Sequence, residues 1–316
     1  MSSSGEQTLP GKAGPASCPS ACDFQASRQT DARSQIDVSR MCTTIEVNSV
    51  RFERVTLDKL RIEDEKSFRH IGLYDALKRS LMRDKILFWV PRAGSGKARW
   101  DRVLFLNLTF WTPNEPGDVL EKKAIPADVL MHAAWHHLTR RALVTKEKAA
   151  SRPSYDALFL GEAIASAFDL YLVGRTLGHA PDSAFLETQV PAMADAADQA
   201  GMSADDFESL LQDVAKDHEG AFEDLRRLLF DVCMSLVHKP SVDEAAEAIA
   251  AFDKNRFAPL LHHYELSTWI LYARAYGQAS DARDADVQRI DDALRQAPVA
   301  LDWLEREWLN DLSEDD

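Results

Sequence analysis

Two histidines four residues apart are the side chains best spaced for chemistry, in His132-Ala133-Ala134-Trp135-His136-His137. Positions i and i+4 share one face of a helix, so both imidazoles can reach one metal ion. His137 points about 100° away from His136 and serves another purpose. Downstream, Glu162 lies in the middle of an apolar run from Ala157 to Val173. A helix that is apolar nearly all round is buried. A buried carboxylate is costly unless it is paired or bound to a metal. Ser166 follows one turn later and Asp169 two turns later, so the three form a polar line. That arrangement is expected where a carboxylate binds metal and its neighbours orient the other ligands. The bland alternative is a set of histidines satisfied by hydrogen bonds. In that reading Glu162 or Asp169 pairs with Arg140, Arg141 or Arg175.

These residues resemble the active site of gluzincin metallopeptidases, a family with a His-Glu-x-x-His helix followed by a second helix of Glu-Ala type. The resemblance runs from the strand pair that begins at Lys85 through Tyr171, and the element order agrees. By motif position it implies zinc as cofactor, with His132, His136 and Glu162 as its ligands. Ser166 occupies the family's supporting-aspartate position, and Asp169 lies three residues further on. The departure is at Ala133, where the family carries its general-base glutamate. Zinc still lowers the pKa of a bound water. A positioned base is worth about 10²–10⁴-fold, so its loss should nearly silence hydrolysis. The family often places a transition-state-stabilising His or Tyr in its C-terminal region. In this chain His262, His263 and Glu265 are the weak catalytic candidates, with Tyr264 beside them. The simpler reading of Leu261-His-His-Tyr-Glu265 is a solvated helix shoulder.

Other chemistries find less support. Gly94-Ser-Gly-Lys97 lacks the phosphate-loop pattern, because Pro91 stands where its first glycine belongs and Ala98 follows the lysine. Cys233 sits in an apolar helical run and reads as a core thiol. Cys18, Cys22 and Cys42 match no zinc-ribbon spacing and read as free thiols of a cytoplasmic protein. There is no Gly-x-Ser-x-Gly elbow. A di-iron bundle needs Glu-x-x-His pairs on two helices, and His218-Glu219 with Glu162 does not supply them.

The elements that must position the site follow from the same reading. Residues 1–44 lack periodicity and read as a disordered tail. Residues 45–125 read as a small α/β segment. It holds a strand at Ile45–Val55, a helix over 70–83, and strands Lys85–Val90 and Arg102–Trp111 joined as a hairpin. Residues 126–316 read as a helical domain carrying the site. Its helices fall near 126–144, 154–176, 184–200, 203–217, 219–238, 241–252, 256–277 and 284–311. The expected fold is α+β, a small N-terminal sheet followed by a mainly helical, zincin-like part.

At 316 residues and 45% hydrophobic, the chain can bury a full core. Its net charge of −14 argues against nucleic acid or an anionic membrane surface as partner. No secretory h-region is evident and no long uninterrupted apolar run implies a membrane span, so a cytoplasmic location is expected. The expected function is a degenerate, zinc-binding, non-peptidase module with a protein or peptide partner. Two alternatives stay open. One is a metal-dependent hydrolase with an atypical base, the other a helical interaction protein with structural histidines.

Overall fold

The computed structural model describes residues 44–47, 50–94, 118–143, 152–279 and 283–309, and the fold is α+β. Strands β1 (Thr44–Val47), β2 (Val50–Thr56), β3 (Arg61–Glu63), β4 (Leu87–Pro91) and β5 (Ala124–Pro126) form two small sheets. β2 is the middle strand of the first, antiparallel to both β1 and β4, while β3 and β5 pair parallel. The alternating stretch Ile45–Val55 is therefore a hairpin, with Val47 opposite Val50, rather than one strand. β4 lies where an apolar run predicts it, with Phe88, Trp89 and Val90 buried. Its observed partner is β2, with Phe88 opposite Val55 and Val90 opposite Glu53. The expected partner Arg102–Trp111 and residues 1–43 of the expected 1–44 tail, with its three cysteines, lie outside the described residues, while Thr44 opens β1.

Helix α1 (Gly72–Arg83) buries Leu73, Tyr74, Leu77 and Leu81 at helical spacing. Glu65, in a short 3₁₀ turn ahead of it, accepts from Tyr74 Oη at 2.8 Å, Lys78 Nζ at 2.5 Å and Arg69 Nη2 at 2.7 Å. Lys78, then Arg69 and Tyr74, hold its carboxyl at about 2. A depressed carboxylate stabilises the fold above its unfolded pKa, and that stability is lost as the pH falls through the folded value. Solvent screening limits the gain, so Glu65→Gln is expected to cost about 1–2 kcal/mol at neutral pH. Urea unfolding should show that deficit shrinking between pH 4.5 and about 2. A pH-independent deficit would contradict the assignment.

The helical part begins at α2 (Ala127–Leu143) and α3 (Tyr155–Leu177). Pro126, expected to open α2, instead ends β5 opposite Glu63. A residue without an N–H suits either place. α4 (Ala184–Gln199), α5 (Ala204–Lys216), α6 (His218–Leu236) and α7 (Val242–Ala250) follow. Ser154, Ser183, Ser203 and Ser241 each accept from the backbone N–H three residues on, at the starts of α3, α4, α5 and α7.

Two long helices expected near the C-terminus are broken. Residues 256–277 form a 3₁₀ segment, Ala258–Tyr264, and then α8 (Leu266–Tyr276). Between them Glu265 takes the left-handed conformation, φ 48°, which ends one helix and starts the next in a new direction. Residues 284–311 form α9 (Ala285–Gln296), α10 (Ala300–Leu304) and a π turn, Glu305–Leu309. Pro298, between α9 and α10, prevents continuation.

α3 is the central helix, packed against α2, α5, α6 and α8. By length and composition it could cross a membrane, yet 83% of its apolar window is buried inside the protein. At Gly174 the neighbours come very close. A Cβ there would stand 2.8 Å from the Val214 carbonyl oxygen and 2.9 Å from His218 Cβ. Backbone cannot move aside cheaply, so Gly174→Ala should cost about 1–3 kcal/mol in urea unfolding. A neutral result would mean that α3 and α5 are packed more loosely than drawn.

Candidate metal centre

The site forms where α2 and α3 face each other. The two helices come close at Gly161, where an added Cβ would lie 3.4 Å from Thr139 Cγ2 and 3.8 Å from His136 Nδ1. Glu162 is the next residue, so its carboxylate is delivered against the histidine face of α2. His132 Nε2 and His136 Nε2 lie 3.1 Å apart, and His136 Nε2 is 3.5 Å from Glu162 Oε2. One ligand atom from each of the three falls within 4.8 Å of the others. All three are only partly buried, so the cluster can be reached from solvent.

Asp169, two turns along α3, places Oδ2 3.0 Å from His132 Nδ1. That contact fixes a proton on Nδ1 and turns Nε2 inward. Ser166, at the expected supporting position, is buried within α3, and the contact with His132 comes from Asp169. Among the described residues Asp169 and Glu162 meet His132 and His136, and neither carboxylate pairs with Arg140, Arg141 or Arg175. Arg141 pairs with Asp84 and donates to the Trp308 carbonyl, while Arg175 meets His218 and the Tyr171 ring. His137 contacts Asp84 at 2.6 Å and ties α2 to the end of α1, a purpose separate from the site, as its direction predicts.

Electrostatics split the two histidines. Burial alone would lower the His132 imidazole, but Asp169, with Glu162 and Asp118, raises it to about 9. Burial and the charge on His132 push His136 well below its ordinary value. Burial lifts the Glu162 carboxyl to about 7, opposed by His132 and reinforced by Asp118 and Asp169. Without an ion, then, His132 carries the positive charge and His136 accepts its Nε2–H.

The C-terminal candidates separate. His262 and Glu265 are exposed, whereas His263 is half-buried and Tyr264 buried, both within electrostatic reach of Asp169. Cys233 is a core thiol as expected, raised by burial and by Glu162.

Three groups near the site went unread in the sequence. Asp128 lies one turn before His132 on α2, and its carboxyl is raised to about 6 by burial and Asp169. The i, i+4 spacing to His132 could have found it. Asp118 couples to both His132 and Glu162. It sits in a stretch without periodicity, held by Trp89 N–H donating to its carbonyl at 2.9 Å. Tyr272 of α8 lies within electrostatic reach of Glu162 and Arg140, a relation across distant parts of the chain with no local signal.

The donor set suits a small divalent ion. Ligand atoms about 2.0–2.1 Å from a tetrahedral ion stand roughly 3.3 Å apart, and the spacings of 3.1 and 3.5 Å bracket that edge. Two imidazoles and one carboxylate are hard-to-borderline donors of the kind that zinc takes. No family model, curated protein or solved structure matches the chain.

Proposed function

We propose that the chain binds zinc through His132, His136 and Glu162 and acts as a binding or regulatory module rather than as a general peptidase, with a protein or peptide as its partner. The observation that carries the metal half is that one donor atom from each of three side chains, delivered by two packed helices, falls within 4.8 Å of the other two. The non-peptidase half rests on position 133. Ala133 is buried in the core and brings no carboxylate toward the site. When bound, zinc would supply Lewis-acid attraction for a ligand oxygen, nitrogen or sulfur. The chain's own part is to hold the donors. Asp169 keeps His132 in the tautomer that presents Nε2, and the surrounding carboxylates favour a cation.

One observation favours a second reading, metal-assisted hydrolysis with an atypical base. Asp118, outside α2, is a carboxylate within electrostatic reach of His132 and Glu162, the type of group missing at position 133. Peptide or ester turnover that Asp118→Asn abolishes would establish it.

The metal reading is tested through Asp169. Replacing the partner of a ligating histidine typically costs 10–100-fold in metal affinity. Asp169→Ala should weaken zinc binding by about that factor, measured by competition with a chromophoric chelator. An unchanged affinity would remove Asp169 from the account.

A further inference from the structure

A cavity of about 240 Å³ opens between α2, α9 and the C-terminal turns. It lies away from the histidines, since its α2 residue Arg141 points about 140° around the helix from His136. The volume exceeds the roughly 150 Å³ that holds benzene and falls short of the about 300–1,000 Å³ usual for drug-sized ligands, so it suits a molecule of one or two rings. Its buried walls are Leu138, Ile290 and Trp308, with Trp303 half-buried beside them. The rings of Trp303 and Trp308 meet edge-on, centroids 6.3 Å apart and planes at 68°. A flat ring stacked on one of them meets the edge of the other, as aromatic quadrupoles favour. This corner is held by the fold itself. Trp308 backs onto the fully buried Trp135, 6.4 Å away, and its carbonyl accepts from Arg141. It is carried by the π turn Glu305–Leu309, a rare conformation frequent at functional sites.

The charges that line the cavity do not cancel. Arg141 is paired with Asp84 at 3.2 Å, and Glu307 with Arg306 at 3.0 Å. Arg289 lines the same cavity, is exposed, and enters no hydrogen bond or ion pair with the described residues. Asp286 and Asp292 stand three residues before and after it on α9, the spacing at which helical neighbours meet, yet neither is paired with it. A guanidinium left without an anion beside an aromatic corner is shaped to take a carboxylate through two parallel hydrogen bonds.

We propose that this cavity is a binding site for a small aromatic carboxylate, its ring in the Trp303–Trp308 corner and its carboxylate on Arg289. Two tryptophans beside Glu307 would also attract a cation. The sign is decided by what each charge already has: Glu307 is met by Arg306, whereas Arg289 is unmet. The site is separate from the His132/His136/Glu162 cluster and needs no ion, so it stands or falls apart from the metal reading.

The test uses the full chain with a chelator present, so that no carboxylate is captured by a metal. Calorimetric titrations compare naphthoate with its neutral amide, naphthamide, and with naphthylmethylamine, the cation that Glu307 would favour. Naphthoate should bind about threefold or more tighter than the amide, as expected of a partly screened charge contact, and the amine more weakly still. Arg289→Gln should erase the preference for the acid. Trp303→Ala should weaken acid and amide alike by about tenfold, because both share the stacked ring, and Trp303→Phe should recover part of that loss. His136→Ala should bind naphthoate as the natural chain does. Far-ultraviolet spectra should be the same in all these proteins. No measurable binding of naphthoate, an amide or amine that binds as tightly, or a preference that survives Arg289→Gln would overturn the assignment. So would loss of binding in His136→Ala, which would move the ligand to the metal cluster.

Discussion

Asp291→Ala is expected to cost about 3–5 kcal/mol in chemical unfolding, the largest loss expected for any single side chain discussed. Arg226 on α6 is fully buried, and Asp291 on α9 is 3% exposed. Asp291 Oδ1 accepts from Arg226 Nη1 at 2.8 Å, and its other oxygen accepts from Arg295 Nε at 2.9 Å. Glu223 takes the remaining side of Arg226, at 2.7 and 2.8 Å, and also accepts from Arg227 Nε. Arg295 continues the chain to Asp231 at 2.6 and 3.2 Å. Removing Asp291 leaves Nη1 of a fully buried cation without its acceptor while Glu223 still holds the other side, and that desolvated donor sets the size of the effect. Asp231→Ala, at the exposed end of the same network, should cost well under half as much. Equal costs at the two positions would show that burial does not govern this network.

The second large effect is on stability by way of the metal. A ligand that binds the folded state alone stabilises it by about 4 kcal/mol at a thousandfold excess over its Kd. Zinc should therefore raise the thermal midpoint of the natural chain by several degrees. His136→Ala should abolish the rise, since it removes the donor that lies between His132 and Glu162. A chelator should reverse the effect in the natural protein and leave the variant unmoved. A midpoint rise that survives in the variant would place the ion elsewhere on the chain.

Much of this was legible because periodicity and capping are local. Ser203 and Ser241 mark helix starts, and the apolar run around Glu162 announces the buried helix. The His132 and His136 pair is a property of one helix, and Glu162 stands out as the carboxylate in the middle of an apolar run. What escaped depends on distance. β4 pairs with β2 because the tertiary fold brings them together, and no local rule chooses that partner. Asp118 and Tyr272 come within electrostatic reach of Glu162 from two separate stretches of chain. Ser166 holds the supporting position by spacing, but Asp169, two turns along α3 from Glu162, makes the contact with His132. Pro298 was a readable stop signal, whereas the left-handed turn at Glu265 had none, since glutamate has no preference for that conformation.

The central claim is that three side chains from two helices hold one ion, and elemental analysis of tag-free protein tests it most directly. After zinc loading and removal of loosely bound metal, the natural chain should carry close to one zinc, and His132→Ala should carry essentially none. A natural chain that remains metal-free, or a His132→Ala chain that retains full zinc, would contradict the account.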